Sequence, residues 1–232
     1  MRFFYNPDAE NRELPEEEAG HAIRVLRLDI GDEIWVMNGK GTFYRCIISE
    51  ASKKHCLYNI VETLPQPRAW TGNLHLAIAP TKNIDRMEWL VEKATEIGFD
   101  ELTFLNCTYS ERIKVKDERI EKILISAMKQ SHKSELPHYN GMVDFKTFMS
   151  KHKDCDCQKF ICHCWEGEKK LLKNELTEGN IVVMIGPEGD FSQQEVAEAN
   201  SYGFNSVSLG QSRLRTETAG LVAVHLMHLV NE

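Results

Sequence analysis

The sequence predicts an α/β protein of two domains: a small N-terminal β-barrel over residues 1–70 and an α/β domain with a parallel sheet over residues 73–232. Two observations predict this fold class. Short strands separated by turn residues fill the first segment, as in small barrels. From Asn73 onward, strand patterns alternate with helix patterns, which is typical of βαβ units. A chain of 232 residues is long enough for two such domains.

In the first segment, residues 15–26 predict a helix, because Pro15 suits a first helical turn and three glutamates follow it at the positive end of the helix. The turn signal Asn38-Gly39 separates two strand patterns. Strands are predicted at residues 33–37, 43–49 and 56–63. The proline-containing residues 64–68 are expected to be a linker.

In the second segment, the apolar run at residues 74–79 predicts a buried parallel strand. The apolar residues of 84–98 recur on one helix face. Ser192 and Glu195 form a capping box that opens a later helix. The remaining strands are predicted at residues 102–106, 160–164, 181–185 and 207–209. The remaining helices are predicted at residues 120–128, 192–203 and 216–230.

The net charge of −7 disfavours a protein that grips nucleic acid through a generally basic surface. Between Tyr109 and Lys133, however, seven Lys or Arg stand against four acids. A solvated helix face of mixed charge is the simpler interpretation; a nucleic-acid partner would have to be recognised by its shape. No apolar run is long enough to span a membrane, and the early Asn6-Pro7-Asp8 disfavours a signal peptide. We therefore expect a cytoplasmic protein.

The seven cysteines are an odd number without an export signal, so reduced thiols are expected. Cys155, Cys157, Cys162 and Cys164 are closely spaced, but the spacing matches zinc ligands poorly. We therefore predict no metal site. Cys162 and Cys164 are expected to share one face of a strand as small core residues.

Two glycine-containing loops follow predicted strands, and ligands of parallel sheets bind beyond the carboxyl ends of strands. The first is Gly186-Pro187-Glu188-Gly189, and the second begins at Leu209-Gly210. Each alone is typical of an ordinary turn, but on adjacent strands the two predict a ligand site. Neither is a dinucleotide fingerprint or a P-loop. A helix cap at Thr216 or Thr218 would not account for the nearby arginines and glutamate.

These motifs together resemble the ribosomal 16S RNA uracil-N3 methyltransferase family, of the SPOUT trefoil-knot class. The resemblance rests on residues 186–189 with Ser192 and Glu195, on Leu209-Gly210, and on residues 214–219. Upstream stretches agree with it, namely residues 21–27 with Gly31-Asp32, Lys82 with residues 86–98, and Ser126-Ala127 with Gln130-Ser131 and Pro137. Three positions depart from the family pattern: Lys129 replaces a common Glu, Lys133 a common Arg, and Asp190 a common Gly.

The resemblance implies a PUA-like RNA-binding barrel followed by a SPOUT domain with a C-terminal trefoil knot. It also implies S-adenosyl-L-methionine as cofactor, a homodimer in which RNA reaches the site across the subunit interface, and no membrane partner. The implied reaction is methylation of N3 of a specific uridine in the decoding region of 16S rRNA, with the free RNA or the assembled small subunit as partner. The implied cofactor contacts are Ile185, Gly186, Pro187, Glu188, Gly189, Leu209, Gly210, Leu214, Arg215, Thr216, Thr218 and Ala219.

Arg215 is the first candidate to stabilise the uracil anion, and Glu217 could accept the N3 proton or orient Arg215. Trp89 and Trp165 are expected in the core. The expected RNA contacts are Arg24, Arg27, Lys82, Arg86, Lys93, Gln130, Ser131 and Lys133. For Arg86 and Lys93 the alternative is pairing along the helix with Glu88, Glu92 or Glu96.

Three other functions stay open. One is a methyltransferase of the same class that acts on tRNA or on another rRNA site. The second is a non-catalytic RNA-binding or ribosome-assembly factor, and the third is a nicotinamide or ATP enzyme, which the missing fingerprint disfavours.

Overall fold

A computed structural model describes residues 1–52 and 54–232 and divides into two compact units. Unit 1 comprises Met1–Ala69 and Ile125–Leu136, and unit 2 comprises Trp70–Leu124 and Pro137–Glu232. The segment Ile125–Leu136, which includes the end of a helix, thus groups with the N-terminal residues.

Unit 1 is built on a four-stranded sheet of order β1-β2-β3-β4, in which β1 runs parallel to β2 and the other neighbours are antiparallel. Its strands are β1 (Phe3–Tyr5), β2 (Glu33–Met37), β3 (Thr42–Ala51) and β4 (Cys56–Pro65). Helix α1 (Glu16–Gly20) continues as a π-helical turn, His21–Val25. The linker expected at residues 64–68 begins later, because Leu64 and Pro65 still pair with β3. A proline is tolerated there because β4 is an edge strand.

The core of unit 1 contains a hydrogen-bonded pair of buried polar side chains, Tyr58 and Asn6. Tyr58, which is 1% exposed, donates its hydroxyl hydrogen to the carbonyl of Ala9 at 2.7 Å. It accepts a hydrogen bond from the amide of Asn6 at 2.9 Å. Apolar side chains from the sheet and from α1 surround the pair, including Phe4 and Ile34.

Unit 2 carries a seven-stranded, wholly parallel sheet of order β7-β6-β5-β10-β8-β11-β9. Its strands are β5 (Leu74–Ile78), β6 (Glu101–Asn106), β7 (His138–Asp144), β8 (Gln158–Cys162), β9 (Lys170–Leu171), β10 (Ile181–Ile185) and β11 (Asn205–Ser208). Its helices are α2 (Ile84–Ile97), α3 (Asp117–Ser131, whose end belongs to unit 1), α4 (Phe145–Lys151), α5 (Leu172–Glu175), α6 (Gln193–Ser201) and α7 (Thr216–Asn231). The α/β class and the parallel sheet are thus confirmed; the trefoil knot stays a prediction.

The central strand β5 is buried on both faces. Ala77 belongs to a cluster with Phe148 of α4 and Ala199 of α6. On Gly220 of α7, a Cβ would lie 2.8 Å from Cδ1 of Ile78 and 3.1 Å from Cδ2 of Leu90, so glycine lets α7 approach β5 and α2 closely.

Several local predictions were wrong. Strand β8 ends at Cys162, and Cys164 lies exposed in the loop beyond it. Trp89 and Trp165 are 44% and 38% exposed, so neither is a core residue. Cys155 and Cys157 are joined by a disulfide, which contradicts the expectation of reduced thiols for this pair.

Within the described ranges, no cluster of three or more His, Cys, Asp or Glu has the arrangement of a metal site. No helix among these residues combines the length and the apolarity needed to cross a membrane.

Candidate active site

A cavity of about 510 Å³ opens in unit 2 at the carboxyl ends of three strands. The loop after β10 and the loop after β11 line it, as the sequence predicts. The two strands are not adjacent, however, because β8 lies between them. Residues Cys162–Cys164, at the end of β8, therefore form a third wall that the motifs did not indicate.

The loop after β10 turns tightly. On Gly186, a Cβ would lie 3.0 Å from the backbone nitrogen of Phe191, so the loop folds back against this position. Asp190 has a φ of 66°, a left-handed conformation that Asp tolerates better than most residues. Its carboxylate accepts hydrogen bonds from the backbone N–H of Phe191 at 2.8 Å and of Cys164 at 2.7 Å. Asp190 thereby ties the β10 loop to the end of β8.

Glu188 connects the same loop to the segment after β5. Its carboxylate accepts a hydrogen bond from the backbone N–H of Lys82 at 2.9 Å. The Nζ of Lys82 lies 3.0 Å from a carboxylate oxygen of Glu111. Arg112 donates from Nε to the carbonyl of Thr81 at 3.0 Å and from its second amino group to the carbonyl of Lys82.

Arg215 and Glu217 both line the cavity but differ in environment. Arg215 is the exposed N-cap residue of α7 and its side chain makes no capping hydrogen bond, so neither Thr216 nor Thr218 is the N-cap. Glu217 is buried, and its Oε2 has no hydrogen-bond partner in the described part of the chain. Its Oε1 lies 3.8 Å from Nε of Arg86, which also lines the cavity.

The cavity gathers both predicted catalytic residues and the predicted cofactor contacts, with the exception of Thr218. Sequence reasoning did not assign the other lining residues to the cofactor site. These are Arg86, Cys162, His163, Cys164, Asp190, Val207, Ser208, Ser212 and Arg213. A signal for the β8 residues was present, because they directly follow an apolar strand of the same sheet.

The predicted RNA contacts, unlike the predicted cofactor contacts, do not gather in one cavity. In unit 1, Arg24, Arg27 and Gln130 are exposed, and the hydroxyl of Ser131 donates to the carbonyl of Ala127 at 2.7 Å within α3. Lys133, also in unit 1, is half-buried.

In unit 2, Lys93 pairs with Glu92 and Glu96, each at 2.7 Å, so the helix-pairing alternative holds for Lys93. It does not describe Arg86, which pairs with Glu217 of α7. Glu88 is instead bound by Arg119 at 2.7 Å.

Residues 68–228 match the RNA methyltransferase domain family, and residues 14–61 match the RNA methyltransferase PUA domain. A probable rRNA-methyltransferase of Porphyromonas gingivalis has a similar structure, with 40% identity and a TM-score of 0.92 over 100% of this chain and 98% of that one. Ribosomal RNA small subunit methyltransferase E of Neisseria gonorrhoeae, solved with bound S-adenosyl methionine, is 26% identical, with a TM-score of 0.86 over 99% and 98% of the two chains.

Among curated sequences, ribosomal RNA small subunit methyltransferase E of Bacillus subtilis is 27% identical over 222 residues, which cover 90% of this chain and 86% of that protein. The resemblance inferred from the motifs is therefore confirmed along nearly the whole chain. The chain belongs to the ribosomal RNA small subunit methyltransferase E family of PUA-containing RNA methyltransferases.

Proposed function

We propose that this protein transfers a methyl group from S-adenosyl-L-methionine to N3 of a specific uridine in the decoding region of 16S rRNA. The observation that carries the proposal is the cavity beyond β8, β10 and β11, which is lined by both predicted catalytic residues, Arg215 and Glu217. Membership in the methyltransferase family supports the reaction class.

The cavity fits a nucleoside cofactor. Its volume of about 510 Å³ lies within the roughly 300–1,000 Å³ typical of small-molecule sites. Two buried polar atoms of its lining residues, Nε2 of His163 and Oε2 of Glu217, have no hydrogen-bond partner within residues 1–52 and 54–232. Buried polar groups of this kind are commonly satisfied by a bound molecule or water. We assign cofactor binding to residues 185–189, 209–210, 214–216 and 219, with Thr218 completing the set through α7.

The bound cofactor supplies an electrophilic methyl group on a sulfonium. The uridine N3 carries a proton at neutral pH, so the protein must hold this atom in line with the methyl group and favour loss of the proton. Positioning of this kind is worth about 7–11 kcal/mol. Arg215, exposed at the N-terminus of α7, would stabilise the negative charge that spreads over O2 and O4. Glu217 would accept the proton through its unpartnered oxygen.

We propose that residues 1–70 form a PUA-like RNA-binding domain and that residues 73–232 perform methyl transfer and contribute further RNA contacts. Arg24, Arg27, Lys82, Arg86 and Lys93, together with Gln130, Ser131 and Lys133, are the proposed RNA contacts. We also propose that the protein is a homodimer and acts in the cytoplasm on the small ribosomal subunit.

The test is methyl transfer from isotopically labelled S-adenosyl methionine to small subunits, free 16S rRNA and tRNA. We expect N3-methyluridine, identified by nucleoside mass spectrometry, at one position of 16S rRNA. Labelling of tRNA or of another rRNA site would mean that this RNA, and not the proposed 16S position, is the substrate. Cofactor binding without transfer to any RNA would favour an assembly factor. If Arg215→Ala kept normal turnover and normal cofactor affinity, the role given to Arg215 would be wrong.

A further inference from the structure

His163 occupies a position between the two recognised loops. It directly follows β8, the strand between β10 and β11, and it lines the cavity. None of the motifs that define the site includes it, and the reaction proposed above does not use it. Its ring nonetheless carries a buried polar atom, Nε2, that has no hydrogen-bond partner in the described part of the chain.

The surroundings of His163 fix which ring nitrogen carries the proton. Nζ of Lys169 lies 3.4 Å from Nδ1 of His163, and it also donates to the carbonyl oxygens of His163, at 3.0 Å, and of Trp165. A lysine ammonium has three donors and no acceptor, so this contact favours the tautomer in which Nδ1 presents its lone pair to Lys169. In the neutral ring the hydrogen is then on Nε2.

The surroundings of His163 favour the neutral form of its ring. Burial and the positive charge of Lys169 lower the pKa of His163, although Asp190 acts in the opposite direction. Nε2 is therefore an N–H donor that is buried and has no acceptor among the described residues. An unmet donor of this kind costs free energy in the ligand-free protein, and a ligand that brings an acceptor removes the cost.

We infer that His163 is a cofactor-binding residue, whose Nε2–H donates to an acceptor atom of the nucleoside part of S-adenosyl methionine. The inference rests on the proposed function. A neutral donor suits a neutral ring nitrogen or ribose oxygen. The carboxylate of the methionine part is better matched by a cation, and the cavity offers Arg213 for that purpose.

The inference is tested by calorimetric titration of S-adenosyl methionine into the wild type, His163→Leu and His163→Gln. His138→Leu is the matched control, because His138 is exposed at the start of β7 and does not line the cavity. We expect His163→Leu to weaken binding by about three- to tenfold, the value of one neutral hydrogen bond. His163→Gln, which keeps an N–H donor at a similar reach, should recover most of the loss.

Thermal unfolding of the ligand-free proteins separates this role from a structural one. Since His163→Leu removes an unsatisfied buried donor, its Tm should equal or exceed that of the wild type while its affinity falls. A lower Tm that accompanies the lost affinity would mean that His163 supports the fold, and the inference would be overturned.

5′-Methylthioadenosine, which lacks the amino-acid part, locates the acceptor. If His163→Leu weakens binding of 5′-methylthioadenosine as much as binding of S-adenosyl methionine, the acceptor lies on the nucleoside. A loss of affinity for S-adenosyl methionine alone contradicts that assignment. If the wild type bound neither molecule, the proposed function itself would fail. Equal binding by wild type and His163→Leu would refute only the role of His163.

Discussion

The buried carboxylate of Glu217 in α7 is paired with Arg86 of α2, with Nε and Oε1 3.8 Å apart. Arg215, two residues before Glu217, is not part of any ion pair among the described residues. Of the two roles considered for Glu217, proton acceptance therefore has more support than orientation of Arg215. Arg86 balances the charge of Glu217, which fits the proposal that Arg215 acts on the substrate.

Glu217→Gln should lower turnover by about 10²–10⁴-fold, the usual value of a general base, while cofactor affinity stays within a few-fold of the wild type. Arg86→Ala should also lower turnover, because Glu217 then loses its paired cation, and Arg86→Lys should retain part of the activity. Single-turnover methylation and calorimetric binding measure the two quantities. Normal single-turnover rates in Glu217→Gln would rule out its role as the base.

The unusual Lys129 of α3 is explained by its ion pair with Glu18 of α1, both within unit 1. The motif resemblance predicts Glu at position 129, which would here face a like charge. Lys129→Glu should therefore destabilise the protein by about 2 kcal/mol, a value between those of exposed and fully buried pairs. Adding Glu18→Lys should restore part of the loss. Urea unfolding of the two single variants and the double variant gives the coupling energy, and additive effects would contradict the pairing.

Asp190 combines a left-handed backbone with two hydrogen bonds that join the β10 loop to the end of β8. Asp190→Ala should lose both hydrogen bonds and also carry backbone strain, so we expect a larger fall in Tm than for Asp190→Gly, which avoids the strain. Asp190→Asn should stay closest to the wild type. Both Ala and Gly variants should bind cofactor more weakly; unchanged affinity would show that the link between these loops does not shape the cavity.

His75 makes the stability of unit 2 dependent on pH. Burial lowers its pKa to about 4, against an ordinary value of about 6.5. The unfolded chain therefore binds more protons between these values, and stability falls as the pH drops from about 6.5 to 4, by about 3 kcal/mol in total. The pKa of Glu101, 3.8 Å from His75, is also lowered, which extends the loss in the same direction at lower pH.

His75→Gln should flatten this dependence without abolishing it, because burial also lowers the pKa of His152. Urea unfolding at pH 7, 6, 5 and 4 measures the slope. An unchanged slope in His75→Gln would assign the acid sensitivity to other groups.

The predictions that succeeded depend on local signals. Ser192 and Glu195 form the expected capping box, with hydrogen bonds of 3.2 Å and 2.8 Å. Glycine and charge spacing similarly indicated the loops after β10 and β11. The position of β8 between these strands depends on pairing of segments far apart in the chain, which no local pattern encodes.

The edge strands β7 and β9 were not predicted, for a related reason. Strand β7 contains Gly141 and consists of exposed and half-buried residues, so it lacks the buried apolar run that marks a central strand. The pairings of Lys129 with Glu18 and of Asp190 with the end of β8 join distant segments in the same way. Departures from a family pattern were visible in the sequence, but their partners were not.

Because β8 lies between β10 and β11, the loop that follows it brings a reactive side chain to the cavity wall. Cys164, just beyond this strand, is a free and exposed thiol in the cavity wall. A cofactor-shaped molecule that carries a mild electrophile can be captured there covalently, at a residue outside the motifs that define the family.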